Sequence, residues 1–137
     1  MRILIWHVDQ FVADPTERGR SKVADAEPRP VRIDEGLVVF AASEKADEPE
    51  PARTAQRTAE AIMDVARQLG TRTIVLHSFA HLFVELSAPA IAREILDETE
   101  RLLAAEGYAV SQSAFGWFNR LEMRAKGHPL SRVARQL

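Results

Sequence analysis

The sequence predicts a single α/β domain, spanning residues 1–137, with a mixed β-sheet and two main helices. Its length of 137 residues is that of one ordinary domain. Short apolar runs of strand length alternate with two longer segments whose apolar residues recur at helical spacing. Hydrophobic residues make up 46% of the chain, which is enough for one buried core without disulfides or a structural metal.

Two apolar runs near the start of the chain predict strands. Residues 2–8 are rich in β-forming side chains, and residues 37–41 are continuously apolar, as in a strand that is buried on both faces. Between them, residues 9–32 are polar, contain three prolines and show no helical period. We therefore expect this connection to be irregular or a loosely paired hairpin.

Two amphipathic segments predict the helices. The first begins at Glu48-Pro49-Glu50-Pro51, where prolines and acidic residues suit a first helical turn, and it ends at Gly70. Its apolar face comprises Ala55, Ala59, Ile62, Ala66 and Leu69. The second begins near Ser87 and Pro89 and ends at Gly107. Its apolar face comprises Ile91, Ile95, Leu96, Leu102 and Leu103.

Three further runs predict strands, at residues 73–77, 108–113 and 118–125. After Pro129 we expect a short C-terminal helix, because the remaining apolar residues fall at helical spacing. They are Leu130, Val133, Ala134 and Leu137. Strands that alternate with helices in this way are typical of an α/β domain with a mixed sheet.

The composition excludes several kinds of chemistry. The chain has no cysteine, so disulfides, thiol nucleophiles and cysteine-ligated zinc are excluded, and a cytoplasmic location is the default expectation. The apolar start is only as long as a strand, whereas a membrane-spanning helix needs about 20 apolar residues. It also lacks the basic start and cleavage site of a signal peptide. We expect a cytoplasmic protein without a membrane partner.

Basic residues are concentrated at the end of the chain. Residues 116–137 carry five basic residues and one acidic residue, whereas residues 1–115 carry 13 basic and 19 acidic residues. The basic residues are Arg120, Arg124, Lys126, Arg132 and Arg135. With the nearby aromatic side chains of Phe115, Trp117 and Phe118, they suit contact with an unpaired base and its phosphates. The alternative is a strand whose aromatics fill the core and whose charges face water.

The histidines and serines do not indicate a familiar catalytic motif. His77 and His81, with Glu85 as a third ligand, suit a metal only if they share a helix. Because residues 73–77 are predicted as a strand, we predict no metal site. Ser78 lies near His81, but closeness in sequence does not indicate a catalytic triad. The chain also lacks a Gly-x-Ser-x-Gly motif and a glycine-rich phosphate loop.

Five short motifs, taken together, resemble one family. They are Met1-Arg2-Ile3-Leu4, Ser43-Glu44-Lys45-Ala46-Asp47, Ser78-Phe79-Ala80-His81-Leu82, Ala114-Phe115-Gly116-Trp117-Phe118 and Lys126-Gly127-His128-Pro129-Leu130. In order and spacing, over nearly the whole chain, they resemble the N-terminal editing domain of archaeal threonyl-tRNA synthetases. The resemblance implies a fold similar to D-aminoacyl-tRNA deacylase. It also implies a hydrolase that removes L-serine from mischarged tRNA(Thr).

The resemblance implies a set of site residues. The catalytic positions are His81, Phe118 and Asn119. The substrate-binding positions are Ser43, Phe79, Ala80, Phe115, Gly116, Trp117 and Arg132. The RNA-binding positions are Arg120, Arg124, Lys126 and His128. No metal is implied.

Several of these positions depart from the family pattern. Phe118 stands where a tyrosine is usual, Asn119 where a lysine is usual and Arg132 where a glutamate is common, while Ser78 and Ala114 replace prolines. The lost ionisable groups favour a reaction in which the 2′-hydroxyl of the terminal adenosine activates water. Backbone N–H groups would then stabilise the oxyanion.

In this account, the donors are the backbone groups near Ala80 and Phe118. His81 holds the ribose, because a neutral imidazole both donates and accepts a hydrogen bond.

The resemblance also implies partners. They are the acceptor end of tRNA(Thr) and an aminoacylating threonyl-tRNA synthetase domain or subunit. The implied fold is often dimeric, so a second copy of the chain, as a homodimer, is a further candidate partner, and the sequence leaves the oligomeric state open. The domain itself needs no cofactor, since ATP and zinc would belong to an aminoacylating part. Two alternatives stay open. One is a non-catalytic tRNA-binding appendage, and the other is a D-aminoacyl-tRNA deacylase, although the Gly-Pro dipeptide of that family is absent.

Overall fold

The structure, a computed structural model, describes residues 1–80 and 85–137. Within these residues the chain forms seven strands and two α-helices. The strands are β1 (Arg2–Arg18), β2 (Val31–Ile33), β3 (Gly36–Ala42), β4 (Thr73–Ser78), β5 (Ala109–Gln112), β6 (Trp117–Ala125) and β7 (Arg132–Gln136). The helices are α1 (Pro51–Leu69) and α2 (Pro89–Ala105).

The seven strands of the described residues form one mixed sheet. β3, β4 and β5 run parallel, and the pairs that involve β1 are antiparallel. Helix α1 connects β3 to β4 and helix α2 follows β4, so both serve as crossovers between parallel strands. The predicted α/β class, with a mixed sheet and two main helices, is confirmed.

Both helices occupy the predicted segments. In α1 the predicted apolar residues Ala55, Ala59 and Ile62 are buried against the sheet, and Gly70 ends the helix in the left-handed conformation, with φ 67°. In α2 the predicted residues Ile95 and Leu103 are fully buried. Burial of one such side chain contributes about 1.5–3 kcal/mol.

Among residues 1–80 and 85–137, no helix has the length and apolarity needed to cross a membrane.

Strand β1 is the centre of the sheet and continues well beyond its predicted end. Its first half pairs with β3 and β7, and its second half pairs with β2 and β6. Register irregularities fall between Val8 and Gln10 and between Pro15 and Glu17, and such irregularities bend a strand. For residues 9–32 the expected loosely paired hairpin is confirmed where β1 pairs with β2, from Phe11–Ile33 to Ala13–Val31, and the alternative of an irregular connection was wrong for that part. The buried run from Phe11 to Ala13 hides the usual alternation, because the bent strand is covered on both faces.

The C-terminal segment is a strand, so the predicted helix was wrong. β7 pairs with β1 from Arg2 to Trp6 and completes that side of the sheet. Val133 is buried and Leu137 packs against the same core. Positions 133 and 137 fit alternation along a strand as well as helical spacing. Backbone hydrogen bonds to the open edge of β1 therefore decided the conformation.

The bend of β1 produces a second hydrophobic layer. The larger core lies between the sheet and the two helices. The smaller core joins Val8, Phe11 and Ala13 of β1 to Val38 of β3 and Val75 of β4. The second half of β1 therefore lies over the sheet face that the helices leave uncovered. The carboxyl ends of β3 and β4 remain open at one end of this layered structure.

Candidate active site

A cavity of about 180 Å³ lies at the carboxyl ends of β3 and β4. Its walls are completed by the beginning of α2 and by the loop between β5 and β6. The residues that matter most for its chemistry are Ser43, Ser78, Ala80, Ser87, Phe115 and Gly116. Ligands of α/β sheets usually bind beyond the carboxyl ends of parallel strands. The volume is below the 300 Å³ that is roughly the lower limit for drug-sized ligands, so the cavity suits one small group.

Four predicted binding residues meet at this cavity. Ser43 follows β3, Ala80 follows β4, and Phe115 and Gly116 belong to the β5–β6 loop. No side chain that lines the cavity within residues 1–80 and 85–137 is ionisable. The described walls can therefore provide shape and hydrogen bonds but no general base.

The catalytic prediction for His81 lies outside the described residues. Phe79, two residues before it, extends β4 along β3, because its backbone N–H donates to the carbonyl of Ala41 at 2.8 Å. Ala80 is exposed and borders the cavity. The segment from Ser78 to Ala80 therefore forms one rim of the cavity.

Two serine hydroxyls meet in the wall of the cavity. Ser87 Oγ donates to Ser43 Oγ at 2.8 Å, and both side chains are buried. The backbone N–H of Ser87 also donates to the carbonyl of Ser43 at 3.1 Å. The backbone N–H of Lys45 donates to the carbonyl of Glu85 at 3.1 Å. These bonds align residues 43–45 with residues 85–87.

The β5–β6 loop requires glycine at position 116. Gly116 has φ 74°, a conformation that side chains with a Cβ rarely adopt. A Cβ at this position would lie 2.6 Å from Cβ of Ala24. The carbonyl of Gly116 accepts a hydrogen bond from the N–H of Gly19 at 2.8 Å. The loop and the segment after β1 thus touch through backbone atoms.

Asp25 holds this loop in place, although the sequence analysis did not identify it. One carboxylate oxygen accepts the N–H of Phe115 at 2.8 Å, and the other accepts a hydrogen bond from Arg93 of α2. The carbonyl of Asp25 accepts the indole N–H of Trp117 at 2.9 Å. Asp25 lies in a polar stretch without periodicity, 68 residues from Arg93, so no sequence signal marks it.

Arg93 fastens the same loop to α2. Its guanidinium lies 5.3 Å from the ring centroid of Phe115 and also binds Asp97. Partial burial lowers the pKa of Arg93, but its hydrogen bonds to Asp25 and Asp97 outweigh that effect and raise the pKa. The guanidinium therefore stays charged and keeps both contacts.

Asn119 and Phe118 have different environments. The amide of Asn119 donates to the carbonyl of Trp117 at 3.0 Å and to that of Ala114 at 3.4 Å. Its Oδ1 is buried and has no hydrogen-bond partner in the part of the chain that the structure describes. The side chain of Phe118 is 54% exposed. Asn119 thus supports the loop beside the cavity, while Phe118 faces solvent.

Arg132, a predicted substrate-binding residue, lies away from the cavity. It is in register with Trp6, and its guanidinium lies 5.0 Å from the centroid of that ring. The cavity residue Ala42 pairs instead with Arg2. Because Arg2 and Trp6 are four residues apart along β1, Arg132 lies about 13 Å along the strand from Ala42.

The predicted RNA-binding residues lie along β6 and the loop that follows it. Arg120 pairs with Asp14 at 3.3 Å, and Lys126 pairs with Asp9 at 2.6 Å. The hydrogen bond from Lys126 lowers the pKa of Asp9, and the same bond raises the pKa of Lys126. Arg124 is exposed on β6. Acidic residues of β1 therefore balance part of the C-terminal positive charge.

His128 contributes to a polar cluster far from the cavity. Its Nε2 lies 2.9 Å from Nδ1 of His7, whose Nε2 bonds to Glu35. The hydroxyl of Thr71 donates to the other oxygen of Glu35 at 3.2 Å. Because His7 pairs with Leu37, five residues from Ala42, the cluster lies about 16 Å along the sheet from the cavity.

A second, open hollow of about 350 Å³ lies on the opposite sheet face. Its apolar surface includes Leu4, Phe40 and Phe79, and the rings of Phe40 and Phe79 have centroids 5.2 Å apart. Arg2 and Arg135 lie at its border. Ala42 borders both spaces. Of the rim residues, Phe79 lines the hollow, whereas Ser78 and Ala80 line the cavity, so the two spaces lie on either side of the rim.

Two solved structures share this fold over almost the whole chain. One, described as c-Myc DNA Unwinding Element Binding Protein, has a TM-score of 0.62 and 12% identity and covers 100% of this chain and 99% of its own. The other is described as a probable eukaryotic D-amino acid tRNA deacylase. It has a TM-score of 0.59 and 14% identity, with 98% of both chains covered. The domain therefore has the D-aminoacyl-tRNA deacylase-like fold that the resemblance implied.

Sequence comparison narrows this class to one family. A family model described as the archaea-specific editing domain of threonyl-tRNA synthetase matches residues 1–137. The threonine--tRNA ligase of Methanopyrus kandleri is 39% identical over 137 residues, and that of Methanocaldococcus jannaschii is 36% identical over 138. These matches cover 98% and 100% of this chain but 22% of each relative. The chain belongs to the archaea-specific editing-domain family of threonyl-tRNA synthetase, a family of aminoacyl-tRNA hydrolases.

Proposed function

We propose that this domain hydrolyses L-seryl-tRNA(Thr) and spares L-threonyl-tRNA(Thr). A pocket that accepts threonine rejects serine weakly, because one methyl group is worth only about 10–200-fold in discrimination. A second site is needed that admits serine and excludes the larger residue. The 180 Å³ cavity carries this proposal, since its volume and small side chains suit a small aminoacyl group.

In this proposal the seryl group enters the cavity and the ester lies at the Ser78–Ala80 rim. The developing oxyanion needs fixed donors. The N–H of Phe79 is already bonded to Ala41, so the N–H of Ala80 is the candidate donor on this rim.

The 2′-hydroxyl of the terminal adenosine is proposed to activate the attacking water. The described cavity walls support this assignment because they contain no ionisable side chain. Asn119, which stands at the position of the usual lysine, uses its amide to support the loop.

The terminal adenine is proposed to lie in the second hollow. Its apolar floor and the ring of Phe79 suit stacking with a base, and Arg2 and Arg135 border it. The wider partners are also proposals: the acceptor end of tRNA(Thr) and an aminoacylating threonyl-tRNA synthetase domain or subunit, in the cytoplasm. The relatives that support them are named threonine--tRNA ligases, and this chain spans 22% of their length.

Deacylation of two charged tRNAs tests the function. When the chain is added, we expect tRNA(Thr) charged with L-serine to lose its amino acid and tRNA(Thr) charged with L-threonine to remain charged. A seryl-tRNA that ends in 2′-deoxyadenosine should bind but resist hydrolysis. Equal loss of both esters, or loss of neither, would contradict the proposed specificity. Tight tRNA binding without deacylation would favour a non-catalytic appendage.

A further inference from the structure

The Ser43–Ser87 pair is the only contact between buried side-chain hydroxyls in the cavity walls of the described residues. Ser43 is 7% exposed and Ser87 is 8% exposed, and both line the cavity. Their oxygens are 2.8 Å apart, a normal O–H···O hydrogen bond. The two residues are held by backbone pairing as well, so their hydroxyls have a defined position.

The hydroxyl protons of Ser43 and Ser87 determine which hydrogen bonds the pair can make with a ligand. A hydroxyl donates one hydrogen bond and accepts up to two. Ser87 donates to Ser43 at 2.8 Å, while its alternative acceptor, the carbonyl of Ala88, is 3.4 Å away. With Ser87 as the donor, no acceptor for the proton of Ser43 is found within residues 1–80 and 85–137. In this arrangement of the pair, the Ser43 O–H is available to a group in the cavity.

The substrate has one group that matches this donor inside the cavity. An ammonium group has donors only, so the α-amino group of the aminoacyl ester cannot accept the proton of Ser43. The ester carbonyl lies at the rim in the proposed binding mode. A side-chain hydroxyl is an acceptor, and it enters the cavity with the amino acid.

We propose that Ser43 donates a hydrogen bond to the side-chain hydroxyl of the bound amino acid and that Ser87 is the positioning residue for it. This inference rests on the proposed function. A substrate without the hydroxyl leaves the Ser43 O–H unpaired in a buried site. We therefore expect the domain to hydrolyse the seryl ester about 10–100-fold faster than the alanyl ester.

The Ser43–Ser87 pair also selects the amino acid by hydrogen bonding, independently of its size. Threonine also carries a hydroxyl, so Ser43 cannot separate threonine from serine, and the extra methyl group must be excluded by the cavity walls. Alanine is smaller than serine, so the cavity walls do not exclude it. Only the unpaired hydroxyl disfavours it.

The test compares kcat/KM for tRNA(Thr) charged with L-serine and with L-alanine. Ser43→Ala should lower the value for the seryl ester about 10–100-fold and change that for the alanyl ester less than about three-fold. Ser87→Ala should act in the same direction with a smaller effect. Ser131→Ala is the matched control, because it removes a hydroxyl that is 2% exposed and lies in the loop beside His128. It should leave the serine-to-alanine ratio unchanged.

The outcomes separate the inference from the proposed function. An unchanged ratio in a folded Ser43→Ala variant would overturn the role of Ser43 while hydrolysis of the seryl ester still stands. Absence of hydrolysis by the unmodified chain would overturn both. If Ser43→Ala does not fold, as judged by thermal unfolding, the ratio in Ser87→Ala decides, and an unchanged ratio there overturns the inference.

Discussion

Asp25 shows how a single residue controls the shape of the site. Its carboxylate and carbonyl together hold Phe115, Trp117 and Arg93. The contact with Phe115 is made to the loop that walls the cavity, and Trp117 follows that loop as the first residue of β6. Asp25 is not among the described residues that line the cavity, yet it sets the position of Phe115, which does line it.

Replacement of Asp25 by alanine should loosen this loop. Loss of a charged hydrogen-bond acceptor leaves the N–H of Phe115 without its partner and leaves Arg93 paired with Asp97 alone, at a cost of about 1–3 kcal/mol in the free energy of unfolding. We also expect kcat/KM for the seryl ester to fall at least about ten-fold, since small misplacements in a site are costly.

Urea denaturation and deacylation rates measure these two effects. Asp97→Ala is the matched control, because Asp97 also pairs with Arg93 but is 51% exposed, and the hydrogen bond that it accepts from Gln112 is made to β5 rather than to the loop. If the control lowers activity as much as Asp25→Ala, the loop is not the reason for the loss.

At the scale of the element, the beginning of α2 is tied to the segment after β3. Glu48 accepts the backbone N–H of Ala88 at 2.8 Å and pairs with Lys45 at 2.9 Å. The hydrogen bond from Lys45, followed by that from Ala88, lowers the pKa of Glu48 below its usual value. The ionised carboxylate thus stabilises the wall that contains Ser87.

This shift predicts a pH dependence. Because the pKa of Glu48 is lower in the folded state than in the unfolded state, its contribution is present above the unfolded pKa and is lost as the pH falls through the folded value. Glu48→Gln should therefore be less stable than the unmodified chain at pH 7, and the difference in stability should be smaller at pH 4. Thermal unfolding at both pH values measures it, and a difference that grows on acidification would contradict the assignment.

At the scale of the whole molecule, a polar cluster joins segments from four parts of the chain. His7 belongs to β1, Glu35 lies between β2 and β3, Thr71 lies between α1 and β4, and His128 lies between β6 and β7. The backbone N–H of His7 also donates to the carbonyl of Ser131 at 3.0 Å. The cluster therefore closes the end of the sheet that is far from the cavity.

His128→Ala should lower the free energy of unfolding by about 1–3 kcal/mol, because the buried ring of His7 then lacks the partner of its Nδ1. Its effect on tRNA affinity should be small. Arg124→Ala is the comparison: this exposed side chain should change stability by less than about 0.5 kcal/mol and weaken tRNA binding in a salt-dependent way. If His128→Ala weakened tRNA binding more than Arg124→Ala, His128 would belong to the RNA-binding surface.

The sequence by itself determined the helices, most of the strands, the family and several residues of the cavity. Helical periodicity, β-rich runs and short motifs are local, so they can be recognised without knowing which segments meet.

The tertiary structure alone decided the bend of β1, the strand β7, the Asp25–Arg93 contact and the Ser43–Ser87 pair. Ser43 and Ser87 are 44 residues apart, and Asp25 and Arg93 are 68 residues apart. Such contacts depend on how β1 curves across the sheet and which edge stays open for β7. Both follow from burying apolar surface and pairing backbone groups over the whole chain, which no single segment encodes.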